Sequence, residues 1–493
     1  MIVEFIDRKF VDSPCDLLAY PLFEDEPEES PACTELDKLT RGMLRTLRSS
    51  GEFKSKLHST CLIHNPPGLK AKRLLLLGAG KKGESSLARW RDLAGTAVRS
   101  AKSAACRTAV LAARSEARLL EVARVCTEGA LIGNYDSDLY KTRDKESCDL
   151  GHFSVLDLEG RSSADPSEGI RRGTIIGNSV NLARTLANEP ANVLTPGAFA
   201  ERCVAAGGKA GLEVQVMERE DMERLGMNTL LAVARGSEEP PKLIILRIKG
   251  RRPRRAAPLY ALIGKGVTFD SGGISIKPSE KMEDMKADMA GAAAVLGAMV
   301  ALAQLRPAQQ VIGLIPAVEN LPSGKATKPG DVVKTLLGKT VEIINTDAEG
   351  RLILADALAY ARSIGATHLI DIATLTGACI VALGMVNAGM LGTDQGLMDR
   401  LRRNCAVTGE KLWQLPLDDE YRKAILSEIA DIKNVGNRWG GAITAAKFLQ
   451  EFAEGTPWVH LDIAGVDLDH DGRPFAAKGA TGFGVRTLTQ LFQ

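Results

Sequence analysis

Aromatic residues make up only 4% of the 493-residue chain. So few rings leave little material for the stacking platforms of single-strand nucleic-acid binders. Cysteine is sparse as well. The nine cysteines are spread along the chain without a CxxC pair, which points to reduced thiols and excludes a disulfide framework. Neither sign of charge is in excess. The 63 Lys+Arg against 61 Asp+Glu leave a net charge of +2, so there is no global pull toward nucleic acid or an anionic membrane. Long apolar runs are missing too. The N-terminus, MIVEFIDRKF, carries Glu4 and Asp7 and does not read as a signal peptide. The most apolar long stretch, Leu369 to Leu391, contains Asp371 and several Gly and Thr, so nothing resembles a membrane span. A soluble, cytoplasmic protein is expected. What remains is ordinary globular composition, 45% apolar and 25% charged, which rules out a disordered tail, a collagen or a low-complexity linker. At about 150 residues per domain, the length predicts about two to four domains.

Several catalytic and nucleotide-binding motifs fail on inspection. Gly78-Ala-Gly80-Lys-Lys-Gly83 fits GxGxxG after an apolar run, Leu74–Leu77. A dinucleotide site also needs an acid at the end of the next strand. That strand, Thr108–Ala112, runs into Ala113 and Arg114, so a plain strand-to-helix turn is expected. Gly338-Lys339-Thr340 resembles the end of a P-loop, but Val333 stands where the first glycine belongs. There is no GxSxG elbow, and none of the six histidines lies in HExxH.

Periodicity predicts helices over Leu87–Ala104, Ser115–Glu128 and Ile170–Ala187, the last stopping at Asn188-Glu189-Pro190. The polar stretch Asp157 to Gly169 reads as an interdomain connection. From about residue 190 the texture changes. Apolar strands at Leu243–Ile248, Leu259–Ile263, Val311–Ile315, Val341–Ile344, His368–Ile372 and Trp458–Ile463 alternate with helices at Ala290–Leu305, Leu352–Ala361 and Ala445–Phe452. This alternation argues for an α/β domain with a mostly parallel sheet, with ligands at the carboxyl ends of its strands.

Charge collects where those strands end. One segment runs from Ile263 through Lys265, Asp270 and Lys277, and continues to Asp288 at the start of the Ala-rich helix. The other is Asn345-Thr-Asp347-Ala-Glu349-Gly-Arg351. Taken singly, Asp270, Asp288, Asp347 and Glu349 could each be a helix cap worth about 0.3–1 kcal/mol. Taken together they are four carboxylates that cannot converge without cations. A pair of divalent ions, with Mg, Mn or Zn suited to oxygen ligands, would neutralise them and support hydrolysis. Lys277 and Arg351 would supply positive charge for an oxyanion or a bound anion.

These residues resemble the leucine (cytosolic) aminopeptidase family. Asn345–Leu352 reads NTDAEGRL, the family signature, and GKGVTFDSGGISIKPS at Gly264–Ser279, DIATLTGA at Asp371–Ala378 and HLDIAG at His460–Gly465 match as well. The resemblance covers about residues 170–493 and is weaker over the first 160. It implies an α/β protein with an N-terminal α/β (macro-like) domain over 1–160, a connecting segment and helix over 161–187, and a larger C-terminal catalytic domain over 188–493 with a mixed, mostly parallel sheet. Asp270 and Glu349 would bridge two metals, Mn or Zn, with Mg or Co possible. Asp347 would complete the looser site, and Lys265 with Asp288 the tighter one, Lys265 acting as a neutral amine. Lys277 would polarise the scissile carbonyl, and Arg351 would hold a bicarbonate ion as general base. Met285, Thr374, Gly377 and Ala464 would line a modest apolar pocket for Leu- or Met-type side chains of peptide substrates. A homohexamer is implied. Asp467 departs from the pattern, since the family carries an apolar or small residue there. It stands either at the pocket rim, where it would favour basic side chains, or in solvent on a polar loop.

The small net charge conceals segregation. Residues 1–37 carry 2 basic and 11 acidic residues, residues 38–124 carry 19 and 5, and residues 125–160 carry 3 and 8. A second basic run spans Lys249 to Arg255. The competing expectations are a nucleic-acid-binding N-terminal surface, a solvated basic face balanced by the acidic Glu24–Glu29 run, and an intersubunit surface.

Overall fold

The computed structural model describes residues 1–114, 117–143, 145, 150–158, 165–248 and 257–493. The basic run Lys249–Arg255 and much of the Asp157–Gly169 connection lie outside them. The described chain divides into two compact units. One comprises Met1–Asn181, Ala406–Gly409 and His470–Lys478; the other comprises Leu182–Cys405, Glu410–Asp469 and Gly479–Gln493. The helix predicted over Ile170–Ala187 runs from Ser167 to Asn188, and the division falls inside it.

The first unit is built on six strands: β1 (Ile2–Phe5), β2 (Leu17–Leu22), β3 (Thr60–His64), β4 (Arg73–Gly78), β5 (Thr108–Ala113) and β6 (His152–Asp157). They lie in the order β1-β6-β5-β2-β4-β3, and only β3 is antiparallel to its neighbour. Helices Leu87–Ser103 and Leu119–Asn134 supply the predicted apolar faces, and Trp90, Leu93, Val98, Val122 and Val125 share one core with Leu75, Leu77 and Leu111. The GxGxxG loop is a packing turn. The amides of Gly78, Ala79 and Gly80 already donate to Ser59 O, Leu22 O and Ser55 O, and that of Lys82 donates to Asp25 Oδ1. None of these is left to cradle a phosphate. Gly78 is required because a Cβ there would sit 1.9 Å from Lys56 O.

Seven residues of the basic segment pair with acids in the segments on either side of it. Arg114 grips Glu26 through both guanidinium nitrogens at 2.8 and 2.6 Å. Lys72 meets Asp16, Lys70 meets Asp12, and Arg99 and Lys102 share Asp136. Arg91 and Arg124 bracket the buried Glu128 at 2.8 and 2.7 Å.

The second unit contains β7 (Leu212–Met217), β8 (Lys242–Ile248), β9 (Leu259–Gly264), β10 (Gly266–Asp270), β11 (Gln310–Asn320), β12 (Asp331–Lys334), β13 (Thr340–Ile343), β14 (His368–Ala373), β15 (Ala388–Gly392), β16 (Leu412–Gln414), β17 (Ile432–Lys433) and β18 (Trp458–Asp462). Its main sheet runs β16-β15-β18-β14-β9-β11-β8-β7, with β10 alongside β11. The centre, β18-β14-β9-β11, is parallel. Toward the margins β15, β8 and β7 each run antiparallel to an inner neighbour. β13, read from sequence as one more strand of the series, instead pairs with β12 and β17 in a separate three-stranded sheet.

Helices Ala290–Leu305 and Gly350–Ser363 both pack on β9, β11 and β14. Alternation along β9 divides them: Ile263 joins the core of Leu352, Leu354 and Leu358, while the Cβ direction of Gly264 points at Gly291. By length and composition, Met282–Leu305 could cross a membrane, but 89% of its most apolar window is buried in the fold. It is a core helix. Leu369–Leu391, singled out in the sequence, folds instead as β14, a short helix and β15.

Candidate metal centre

The predicted site residues gather at the carboxyl ends of the central strands, as expected for a parallel α/β sheet. Lys265 joins β9 to β10, Asp270 ends β10, Thr374 follows β14, and Ala464 follows β18. Glu349 is the N-cap of helix Gly350–Ser363, where the helix dipole favours its negative charge. That helix starts so close to Lys265 that a Cβ on Gly350 would lie 2.8 Å from Lys265 Nζ. Only glycine admits this approach.

Carboxylate oxygens of Asp270, Asp347 and Glu349 lie within 4.8 Å of one another. Lys265 Nζ sits 2.8 Å from Asp288 Oδ1 and 2.7 Å from Glu349 Oε1, and donates to Thr374 O at 2.8 Å. Lys277 Nζ lies 2.7 Å from Asp270 Oδ2 and 2.5 Å from Asp347 Oδ1. All five predicted metal ligands and Lys277 therefore form one connected cluster. Its scaffold is polar. Asp270 Oδ1 accepts from Gly272 N and Asn320 Nδ2, and Asp288 Oδ1 accepts from Thr374 Oγ1 at 2.6 Å. Asp288 Oδ2, by contrast, is buried without a hydrogen-bond partner. An orphaned carboxylate oxygen beside three convergent acids is the donor set that hard divalent cations take.

Burial raises the Asp270 carboxyl to about 6, with the charge of Glu349 adding to the effect. It also pushes Asp288 well above the usual carboxylate range, and raises Asp347. Glu349 is buried too, but Lys265 and Lys277 outweigh burial and hold it below its usual value. Lys265 is expected from the resemblance to be a neutral amine. Burial does favour that form, yet Asp288, Glu349 and Asp270 override it and raise the ammonium pKa. Only further positive charge among these acids would reverse the balance.

Arg351 is buried, and burial lowers its pKa to about 10. Nη1 donates to Asn434 O at 2.9 Å, while Nε has no partner. A buried guanidinium with an unused donor fits an anion. Of the pocket residues, Thr374 is tied to Asp288, and Met285 lies one turn ahead of it in the short helix Met282–Ala287. A Cβ on Gly377 would meet open space. Asp462 draws the rest together by accepting from Leu375 N, Thr376 N, Thr376 Oγ1 and Ala464 N.

The structure corrects one expectation and adds two residues. Asp467 is not a solvent-facing residue. It is 9% exposed, and burial raises its carboxyl to about 7. Asp462 was visible within HLDIAG but carried no signal of its anchoring role. Asn434 lay in no motif. Its side chain accepts from Ile344 N and Asn345 N and donates to Asn345 O and Ala348 O, clamping the whole Asn345–Arg351 loop.

A mixed, centrally parallel α/β sheet with this acid–lysine cluster at its strand ends fits a metal-dependent hydrolase. The chain belongs to the cytosol aminopeptidase family, matching its catalytic domain over residues 181–489 and its N-terminal domain over residues 20–144. It is 50% identical over 446 residues to a probable cytosol aminopeptidase of Solibacter usitatus, covering 90% of this chain and 92% of that protein. It is 46% identical over 506 residues to one of Geobacter sp. strain M21, covering all of both chains. Among solved structures, a mutant tomato leucine aminopeptidase superposes with TM-score 0.90 at 33% identity, covering 99% of this chain and 96% of that one. The bottromycin maturation enzyme BotP in complex with Mn superposes with TM-score 0.84 at 35% identity, covering 97% and 99%. The protein is a metal-dependent aminopeptidase acting on peptides.

Proposed function

We propose that this enzyme removes Leu- or Met-type N-terminal residues at a two-metal centre held by Lys265, Asp270, Asp288, Asp347 and Glu349. The observation that carries it is the convergence of Asp270, Asp347 and Glu349 within 4.8 Å beside the orphaned Asp288 oxygen. When bound, two divalent ions supply Lewis acidity and a water acidic enough to attack at neutral pH. Mn or Zn suits the donors, Mg or Co is compatible, and the Mn of the BotP complex favours Mn. Asp270, Glu349 and Asp347 beside Lys277, with Asp288 beside Lys265, would hold the two ions. Lys277, anchored by Asp270 and Asp347, presents its ammonium to the carbonyl oxygen that gains charge. Arg351, with its unused Nε donor, would hold a bicarbonate ion, which would supply the general base. Met285, Thr374, Gly377 and Ala464 receive the first side chain. A homohexamer and a cytoplasmic location complete the proposal. The eight described cysteines, all free thiols, support the second.

Hydrolysis of aminoacyl-amides with Mn, Zn, Mg and Co tests the substrate and metal assignments. Asp347→Asn and Glu349→Gln should each abolish activity and metal occupancy while the fold survives; full activity in either refutes the ligand set. Arg351→Ala should lose activity that added bicarbonate partly restores. Nucleic-acid binding is not favoured, because Lys72, Arg91, Arg99, Lys102, Arg114 and Arg124 of the basic segment are already paired with acids of the same chain.

A further inference from the structure

The segment Asn434–Gly441 is hydrogen-bonded at one end to the acid loop of the metal centre and at the other lies against the short helix that opens at Gly377. At one end Asn434 clamps Ile344, Asn345 and Ala348 and accepts from Arg351. At the other, a Cβ on Gly441 would lie 2.9 Å from Ala378 Cβ, next to Gly377. Between these anchors the chain projects Arg438 and Trp439. Asn437 Oδ1 accepts from Trp439 N at 2.9 Å and fixes the turn. The Arg438 guanidinium stacks 4.3 Å from the centre of the Trp439 ring. The indole is nonetheless 68% exposed, whereas Trp90 and Trp458 are fully buried. The energetic tendency of so large an apolar ring is to be covered, and nothing in the site's chemistry uses it.

Building on the aminopeptidase reading, we infer that Trp439 is a platform for the peptide beyond the cleaved bond. It stands two positions before Gly441, so its Cα lies at most about 7 Å from that anchor. An extended peptide rises about 3.3 Å per residue. On this reading the side chains that reach the indole are those two to four residues past the cleaved bond, and an aromatic one among them stacks on it. The platform makes the enzyme select peptides by the residues that follow, independently of the pocket for the first side chain. The occupant is the substrate chain itself, because one anchor belongs to the loop that carries Asp347, Glu349 and Arg351 and the other adjoins Gly377 of the first-side-chain pocket.

The test uses the full-length Mn-loaded protein with Leu-amide, Leu-Gly-Gly-Gly-Gly, and the same pentapeptide with one Phe walked through positions three to five. Wild type should prefer at least one Phe peptide over the all-Gly peptide by about three- to tenfold in kcat/KM, the range of a typical aromatic pair. Trp439→Ala should erase that ratio, and Trp439→Phe should retain most of it. No Phe preference in wild type, or a preference unmoved in Trp439→Ala, overturns the platform. A lower sedimentation coefficient for Trp439→Ala would instead seat the ring against a second copy of the chain, and also overturns it. Failure of wild type to hydrolyse Leu-amide would strike the proposed Leu preference first, which separates the two failures.

Discussion

Replacing Asn434 by Ala should damage the site without touching a single reacting group. Its fully buried side chain makes four hydrogen bonds to backbone around the acid loop. Two are short: 2.8 Å from Ile344 N and 2.6 Å to Asn345 O. Two are longer, 3.3 Å each, from Asn345 N and to Ala348 O. Truncation leaves these groups with no side chain to meet. A buried polar group stripped of its partner costs about 1–3 kcal/mol. Counting the two short bonds fully and the others lightly gives about 2–5 kcal/mol. At roughly 2–4 °C per kcal/mol for a large domain, the Tm should fall by about 5–15 °C.

The functional effect should be larger than the thermal one. Asp347, Glu349 and Arg351 all ride on the clamped loop, and a displacement of about 1 Å can cost about a hundredfold in rate. Thermal denaturation and kcat/KM on Leu-amide with saturating Mn measure the two effects. Asn434→Asp is the informative companion. It keeps the acceptor for Ile344 N but turns an oxygen toward the Asn345 and Ala348 carbonyls, so it should be no better than Ala. A Tm within about 1 °C of wild type together with undiminished kcat/KM in Asn434→Ala would refute the clamp.

Other substitutions test separate parts of the reasoning. Asp467 has a folded pKa of about 7 against an ordinary 3.8, so its contribution to stability is complete below pH 4 and is lost as the pH rises through 7. Urea midpoints should show this fall, on the order of 4 kcal/mol, and Asp467→Asn should flatten it; an unchanged pH profile in the variant would reject the assignment. Gly78→Ala drives a Cβ to within 1.9 Å of Lys56 O, and should destabilise the first unit by about 2 kcal/mol or more; a neutral outcome in differential scanning calorimetry would remove the packing explanation. Arg91→Met takes donors from Glu128, Val407 O and Thr408 O, at a cost of about 3–5 kcal/mol. Unchanged unfolding would show that Arg124 alone suffices to hold Glu128.

What the sequence disclosed, and what it withheld, follows from the range of the forces involved. Helix Ala290–Leu305 and strand β14 were legible because their burial is written locally, as unbroken apolar residues. The acids were legible because four like charges at strand ends have few explanations that do not involve a cation. Asn434 was not, since a neutral amide between Lys433 and Val435 gains its role only when folding brings Asn345 beside it, 89 positions away in the chain. The antiparallel margins were hidden for a similar reason: an apolar run does not encode its direction. Asp467 misled because polar neighbours in sequence suggest solvent, whereas it is buried where its backbone oxygen meets Thr481 N. The charge blocks of the first unit show how such distant partners can still be anticipated. A basic segment flanked by two acidic ones need not be a surface for a foreign polyanion, because its counter-ions are already present in the same chain. Glu26, Glu128 and Asp136 fill that role for Arg114, Arg91, Arg124, Arg99 and Lys102. The acids of the catalytic unit have no comparable supply. Among the described residues only Lys265 and Lys277 reach Asp270, Asp288, Asp347 and Glu349 as ion pairs, leaving four carboxylates against two ammonium groups. That local excess of negative charge, not the net charge of the protein, is what makes the second unit a place for metal ions.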